Sequence, residues 1–315
     1  MLSDIRLSVI IPTYNRAELL RLCLETILSQ RRLPDEIIVV DDGSTDHTSE
    51  VAASFKNEIT YIKQANAGPG SARNTGASHA TGDYLVFLDS DDCWWPWTLA
   101  ILEEAILASQ PRLISFCHKM FQNPDDIKHV KESPLELCRY ESFYASSKQQ
   151  ILFSTSSAAV RRKDFLSVGG FSSAIRVAED LDLALRMGDT GGFSHVSSPP
   201  MIALRRHETS LMQEMDGVFH GMRYLIDEEN NCRYPGGPSL SSDRRNLISY
   251  VVRGATIRLM QRLEVRRSFD LYCRTFTWHL ASLRFRYLLA YPLLLLKSIC
   301  VSSCKKIFGK QNLAI

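Results

Sequence analysis

The chain has 315 residues, 45% hydrophobic and 23% charged, with a formal net charge of +2; this mix excludes collagen-like, disordered and disulfide-scaffold classes. Its charge is unevenly placed: residues 244–315 carry 14 Lys and Arg against Glu264 and Asp270, a local +12 that leaves the first 243 residues at −10. An acidic body with a basic tail predicts a body that holds metal or polar ligands and a tail that meets an anionic surface, with no nucleic-acid partner.

Leu7–Ile11 is a short β-branched run that stops at Pro12 and reads as a buried strand. Ala17–Arg31 has the apolar spacing of a helix, and Glu36–Val40 is a second buried strand, closed by Asp41-Asp42-Gly43-Ser44. A helix over Asp46–Phe55, a strand at Thr60–Ile62, a helix over Ser71–Ala80, a strand at Asp83–Leu88 and a helix over Leu99–Leu107 complete the first 110 residues. This alternation predicts a parallel sheet covered on both faces, with ligands beyond the carboxyl ends of the strands. Residues 111–215 are less regular and contain Ser154–Ser157, Gly169-Gly170-Phe171 and a helical stretch Glu179–Met187. From 216 onward the chain reads as arginine-rich helices, then a nearly continuous apolar run, Tyr287–Leu296, followed by Lys297, Lys305, Lys306 and Lys310.

Eight cysteines are scattered without a CxxC pair, which predicts reduced thiols of a cytoplasmic protein and no structural zinc. The apolar run at the N-terminus is too short for a signal peptide.

Several polar clusters fall at the expected strand ends. Asp89-Ser90-Asp91-Asp92 puts three carboxylates within four residues. A divalent cation would neutralise them; an acidic loop capping the next helix is the other reading. Asp41-Asp42-Gly43-Ser44 is either a turn or a carboxylate pair that accepts N–H or hydroxyl bonds from a nucleoside. Asn66–Gly76 is glycine-rich, but it has neither a GKS/GKT nor the GxGxxG spacing, and Arg73 within it serves a phosphate or simply faces solvent. Glu179-Asp180 opens a helix, where acids favour the dipole and where a general base would be well held. His207 follows Arg205-Arg206 in a loop.

Read in order, these blocks resemble the inverting family 2 glycosyltransferases of the GT-A fold. The matching text is SVIIPTYNR (8–16), EIIVVDDGSTD (36–46), NAGPGSARNTGASHATGDYLVFLDSDD (66–92), Trp95-Pro96 with Leu99, VGGF (168–171), AEDLDLALRM (178–187) and RRHETSL (205–211). The resemblance implies an α/β, Rossmann-like, mainly parallel sheet flanked by helices, with a catalytic domain over 1–215 and a basic helical C-terminal extension over 216–315. It implies that Pro12 and Tyr14 line a base pocket, that Asp42 accepts the base N–H and that Asp41 supports it. Arg73 would lie near the base and diphosphate. Asp89-x-Asp91 matches a DxD motif: Asp91 would hold Mg2+ or Mn2+, and Asp89 would face the ribose and the metal's waters. Gly169, Gly170 and Phe171 match an acceptor-side loop, with Glu179 beside them. Asp180 matches the general base, and His207 a histidine that reaches the metal or diphosphate in some members.

The function so implied is transfer of a sugar from a nucleotide sugar, expected to be a UDP-sugar, to an acceptor hydroxyl with inversion. The setting would be cell-surface polysaccharide, lipopolysaccharide or glycoconjugate synthesis. No QxxRW motif is found, so a non-processive enzyme is expected. The tail's apolar run is about half of the ~20 residues a membrane span needs. It is expected to lie in the interface of an anionic membrane or to pack on protein, and a surface position would suit a lipid-linked saccharide acceptor. Two alternatives are a sugar nucleotidyltransferase, which usually has a glycine-rich loop after the first strand that is missing here, and a non-catalytic nucleotide-sugar binding module, which would not need Asp180.

Overall fold

The computed structural model describes residues 5–121, 127, 129–151, 153–205 and 214–308, with side chains up to 298. The chain divides into two compact units, Met1–Ser210 and Leu211–Ile315.

The first unit opens with β1 (Leu7–Thr13), α1 (Ala17–Leu28), β2 (Glu36–Asp41), α2 (Thr48–Ser54), β3 (Thr60–Lys63), α3 (Pro69–His79) and β4 (Tyr84–Phe87). It continues with β5 (Cys93–Trp94), α4 (Thr98–Ser109), β6 (Leu113–Phe116), β7 (His118–Phe121), β8 (Glu136–Tyr140), β9 (Ala158–Arg161), α5 (Arg162–Ser167), α6 (Glu179–Met187), β10 (Phe193–Ser198) and β11 (Ile202–Arg205). Eight strands form one sheet in the order β3-β2-β1-β4-β9-β6-β10-β8. The pairs β2–β3, β1–β2, β1–β4 and β6–β10 are parallel, whereas β9 runs antiparallel to both β4 and β6. The fold is therefore mixed α/β and mainly parallel, as the alternation in the first 110 residues requires. A second sheet has three strands in the order β5-β11-β7, with β11 antiparallel to β5 and parallel to β7.

Every residue of β1 is buried. A strand covered on both faces has no polar side to alternate with, hence the unbroken run LSVIIPT. The strand passes through Pro12 instead of stopping there. Leu88 N–H donates to the Ile10 carbonyl (3.1 Å), so even-numbered residues of β1 turn their backbone groups toward β4. The ladder between β1 and β4 extends only to the Ile10–Phe87 pair, so the proline's missing N–H faces the side that β4 has already left. Gly76 lets α3 lie directly on this sheet: a Cβ there would come within 2.5 Å of Ile10 Cγ2.

The second unit contains α7 (Met215–Asn230), α8 (Ser241–Gln261), α9 (Val265–Ala281) and α10 (Phe285–Phe308). Arg244 and Glu229, both 1% exposed, form a buried ion pair at 2.6 Å, and the remaining guanidinium N–H groups go to the carbonyls of Pro235 and Gly237. The apolar run of the tail belongs to α10, which continues through Pro292. Proline in a helix leaves the carbonyl four residues earlier without its donor. Here that carbonyl, of Leu288, accepts the Tyr272 hydroxyl at 3.2 Å. Tyr287, Leu288 and Tyr291 pack with Met260 and Tyr272 in a small core of their own. Among the described residues, no helix is long and apolar enough to cross a membrane.

Candidate active site

Register sets the geometry. Thr13 of β1 lies opposite Asp41 of β2, so the segments that follow both strands emerge side by side. Sequence order runs from β1 outward to β3 on one side and returns to β4 on the other. Such a switch point opens a crevice at the carboxyl ends of the strands.

On the β2 side, Asp41 is fully buried and accepts the Ser44 N–H (2.7 Å) and the Tyr61 hydroxyl (2.5 Å). Ser44 in turn accepts the N–H of Asn15, whose φ of 51° turns the chain after Tyr14. Tyr14, 47% exposed, is left with a free aromatic face at the strand end. Asp42 accepts three donors, Gln64 Nε2 (2.7 Å), Ala67 N–H (2.9 Å) and Gly68 N–H (2.8 Å). A carboxylate has about four lone-pair sites, so room for one further donor remains. Asp42 thus fixes the start of the glycine-rich segment that leads into α3.

Arg73 lies one turn into α3 and is buried. Its Nη2 donates to Asp89 (2.6 Å) and its Nη1 to Glu179 (3.0 Å), and the guanidinium stands 5.5 Å from the Phe171 ring centre. Sequence reading treats Arg73 as a donor-binding candidate; the structure gives both its terminal nitrogens to protein carboxylates. Arg73 therefore links the acidic cluster after β4 to the acidic start of α6.

The cluster itself is compact. Carboxylate oxygens of Asp89, Asp91 and Asp92 lie within 4.8 Å of one another. Asp91 pairs with Arg16 (2.6 Å), and Asp92 accepts the Arg205 N–H (3.0 Å), which ties the cluster to β11. Burial opposes charge on Asp89, but the Arg73 guanidinium overrides it and holds this carboxyl below the usual range. Burial, with the charges of Asp91 and Asp89, pushes Asp92 well above it. Three oxygen ligands so close, in a setting still short of positive charge, fit a hard divalent cation such as Mg2+ or Mn2+.

Across the crevice, Ala178 adopts a left-handed conformation (φ 67°) and starts α6, with Glu179 and Asp180 in the first turn. Burial raises the Asp180 carboxyl, the adjacent Glu179 charge raises it further, and it reaches about 7. The loop in front is held from two sides. Asn74 exchanges bonds with the Phe171 backbone, Nδ2 to O at 2.9 Å and N–H to Oδ1 at 2.8 Å. Arg186 donates to the carbonyls of Val168 (2.9 Å) and Gly170 (2.7 Å). Gly170 has a φ of 70°, and a Cβ there would meet Asn74 Oδ1 at 2.4 Å. Gly170→Ala is therefore expected to break the Asn74–Phe171 exchange and lower stability by about 1–3 kcal/mol, read as a lower urea midpoint at unchanged m.

The structure thus joins Arg73, Asp89, Asp91, Phe171, Gly170, Glu179 and Asp180 in one network, with Pro12, Tyr14, Asp41 and Asp42 at the neighbouring strand ends. His207 lies outside the described residues. Sequence reasoning missed Arg16, Asn74, Arg186 and Arg205. It also missed Ser156, whose hydroxyl accepts the Asp89 N–H at 3.1 Å. The NR of SVIIPTYNR and the RN of GSARN were the available signals for two of them.

A model of the glycosyl transferase family 2 matches residues 8–169. The glycosyltransferase GlyA of Streptococcus pneumoniae serotype 4 is 46% identical over 95 residues, which is 29% of this chain and 14% of that protein. An uncharacterized glycosyltransferase of Haemophilus influenzae is 31% identical over 187 residues, 58% of this chain and 61% of that one. The chain therefore spans less than two thirds of the length of these curated relatives. Among solved structures, Staphylococcus aureus TarS 1–349 in complex with UDP-GlcNAc superposes with a TM-score of 0.68 at 19% identity, covering 98% of this chain and 94% of that one. Mannosyltransferase PcManGT from Pyrobaculum calidifontis, in complex with GDP-Man and Mn2+, gives 0.59 at 18% identity, covering 98% and 89%. These likenesses show the GT-A fold.

Proposed function

We propose, from the premise that this chain belongs to glycosyl transferase family 2, that it transfers a sugar from a nucleoside diphosphate donor to an acceptor hydroxyl in one displacement with inversion. The observation that carries this reading is the Asp89–Arg73–Glu179 link. It ties a set of carboxylates that could hold a cation to Asp180, a half-buried carboxylate whose affinity for a proton suits a general base.

The donor is assigned to the crevice at the ends of β1 and β2. Solved neighbours bind UDP-GlcNAc and GDP-Man, which supports a nucleotide sugar. Tyr14 and Pro12 would line the base, with Asp41 behind them. Asp42 would offer its remaining lone pair to a base N–H, and a uridine donor is the expected case. Asp91 and Asp89 would hold Mg2+ or Mn2+, which as a Lewis acid offsets the charge that develops on the leaving diphosphate. Asp180 takes the proton of the acceptor hydroxyl as that oxygen attacks the anomeric carbon from the face opposite the diphosphate. Glu179 and the Gly169–Phe171 loop keep this base oriented and shape the acceptor side.

The acceptor is assigned to the saccharides, free or lipid-linked. Support for a membrane position comes from α10, where Leu289, Leu293 and Leu296 repeat at helical spacing with 73%, 69% and 61% exposure, next to Arg286 and Lys297.

The test is a panel of nucleotide sugars, read by binding and slow donor hydrolysis, with Mn2+ and with EDTA. One donor is expected to bind and hydrolyse with Mn2+ and to lose both with EDTA. Folded protein that binds none of the panel in Mn2+ overturns the reading.

A further inference from the structure

The second unit contains a group of basic side chains that, among the described residues, have no acidic partners. His279 in α9 is 0% exposed, and neither ring nitrogen has a hydrogen-bond partner among the described residues. The Tyr287 ring lies against it at 4.5 Å between centroids, and the Tyr287 hydroxyl is bonded to Thr256 of α8 (2.8 Å). Arg284, in the turn between α9 and α10, has a buried Nη1 with no hydrogen-bond partner among the described residues, and its Nη2 reaches the Asn246 carbonyl of α8 only at 3.4 Å. Arg253 lies between Asn246 and Thr256 along α8, two turns beyond Asn246 and so on the same face. Its guanidinium stands 5.4 Å from the Tyr250 ring centre. No ion pair joins Arg253 or Arg284 to a carboxylate among the described residues.

We propose that His279, Arg253 and Arg284 form a binding site for a phosphate group.

Buried polar groups without partners are costly, and the positive charge of Arg253 works against that of Arg284. A tetrahedral oxyanion answers both: it accepts the forked N–H groups of arginine and an imidazole N–H together. Burial, aided by the Arg284 and Arg253 charges, brings His279 down to about 4, so near neutrality the ring supplies one N–H donor and no charge. The rim is apolar: Leu280, Leu283 and Phe285 are 46%, 71% and 51% exposed beside His279 and Arg284. A phosphate carried on a lipid head group would meet both parts of the site, whereas a free phosphate would use only the basic part.

Full-length protein, Arg253→Gln and Arg284→Gln are compared by thermal melting with inorganic phosphate. They are also compared by co-sedimentation with phosphatidylcholine vesicles, with and without phosphatidylglycerol. Phosphate is expected to raise the wild-type midpoint and to leave both variants unmoved. Without phosphate, the variants are expected to melt at or above the wild type, since the repulsion is relieved. This reversal of order is not what loss of a merely structural arginine would give. If the source is lipid, wild-type binding to phosphatidylglycerol vesicles exceeds that of the variants by about tenfold. A phosphate response with no difference on vesicles assigns a soluble phosphate. Equal responses of all three proteins to both ligands overturn the site.

Discussion

Asp180→Asn is expected to lower turnover by ~10²–10⁴-fold while leaving donor affinity within about twofold. The loss falls on kcat because the carboxylate acts only when the acceptor hydroxyl gives up its proton; the donor is assigned to the other side of the crevice. Asparagine keeps the shape and can still accept the Leu181 N–H, which Asp180 does at 2.7 Å. The wild-type profile carries a second sign of the same group. Asp180 must be ionised to act, and its carboxyl is pushed up to about 7 by burial and by Glu179. The rate constant kcat/KM should then fall about tenfold per pH unit below that point and level off above it. Stability moves the other way. The unfolded chain releases this proton at an ordinary carboxylate pKa, the folded chain only at about 7, so between these values the folded state holds the extra proton. That contribution is lost as pH rises through the window. Above it, Asp180→Asn should be more stable than wild type by on the order of 1–3 kcal/mol, and at pH near 4 the two should converge. A variant that loses activity and also loses stability at pH 8 would count against a strained, proton-hungry base.

What the sequence made legible follows the physics of buried parallel strands. Residues 9–11 of β1, 37–40 of β2 and all of β4 are unbroken apolar runs because both faces are covered, and the polar residues collect where the strands end. The candidate carboxylates could be picked out for that reason. Boundaries drifted by up to three residues: α1 ends at Leu28, three before the expected Arg31, and α3 begins at Pro69, two residues before the expected start, because proline's fixed φ suits a first helical position. Residues 111–215 were hard to read for a different reason. β9 has four residues and β10 is Ser-rich, so neither shows a long apolar run, although both complete the main sheet. The connections inside the site were the least legible. Arg186 reads as an ordinary base in a last helical turn, yet it holds the Gly170 loop. Arg16 reads as a helix-leading charge, yet it meets Asp91 across 75 residues of sequence. Such roles arise only when distant segments fold together.

Asp91→Asn is expected to weaken Mn2+ binding and to cut donor turnover by about 10²–10³-fold, the range usual for removing one preorganised charge contact to a developing anion. The carboxylates of Asp89, Asp91 and Asp92 lie within 4.8 Å of one another. Two of them already have guanidinium partners, Arg73 for Asp89 and Arg16 for Asp91, and the partners differ in freedom. The Arg73 side chain is 4% exposed and bonded twice; that of Arg16 is 31% exposed. Of those two, Asp91 is thus the one more able to exchange its partner for a cation. Electron paramagnetic resonance titration with Mn2+ reads the affinity directly, without turnover. Chelation provides the cross-check. If Asp91 acts through the metal, EDTA should lower the wild type to the level of Asp91→Asn and leave the variant where it was, because the two losses are one interaction counted twice. Additive losses would instead place Asp91 outside the metal's action. Arg16→Gln separates the remaining explanation: it breaks the same ion pair but keeps the carboxylate, so its turnover should still respond to EDTA.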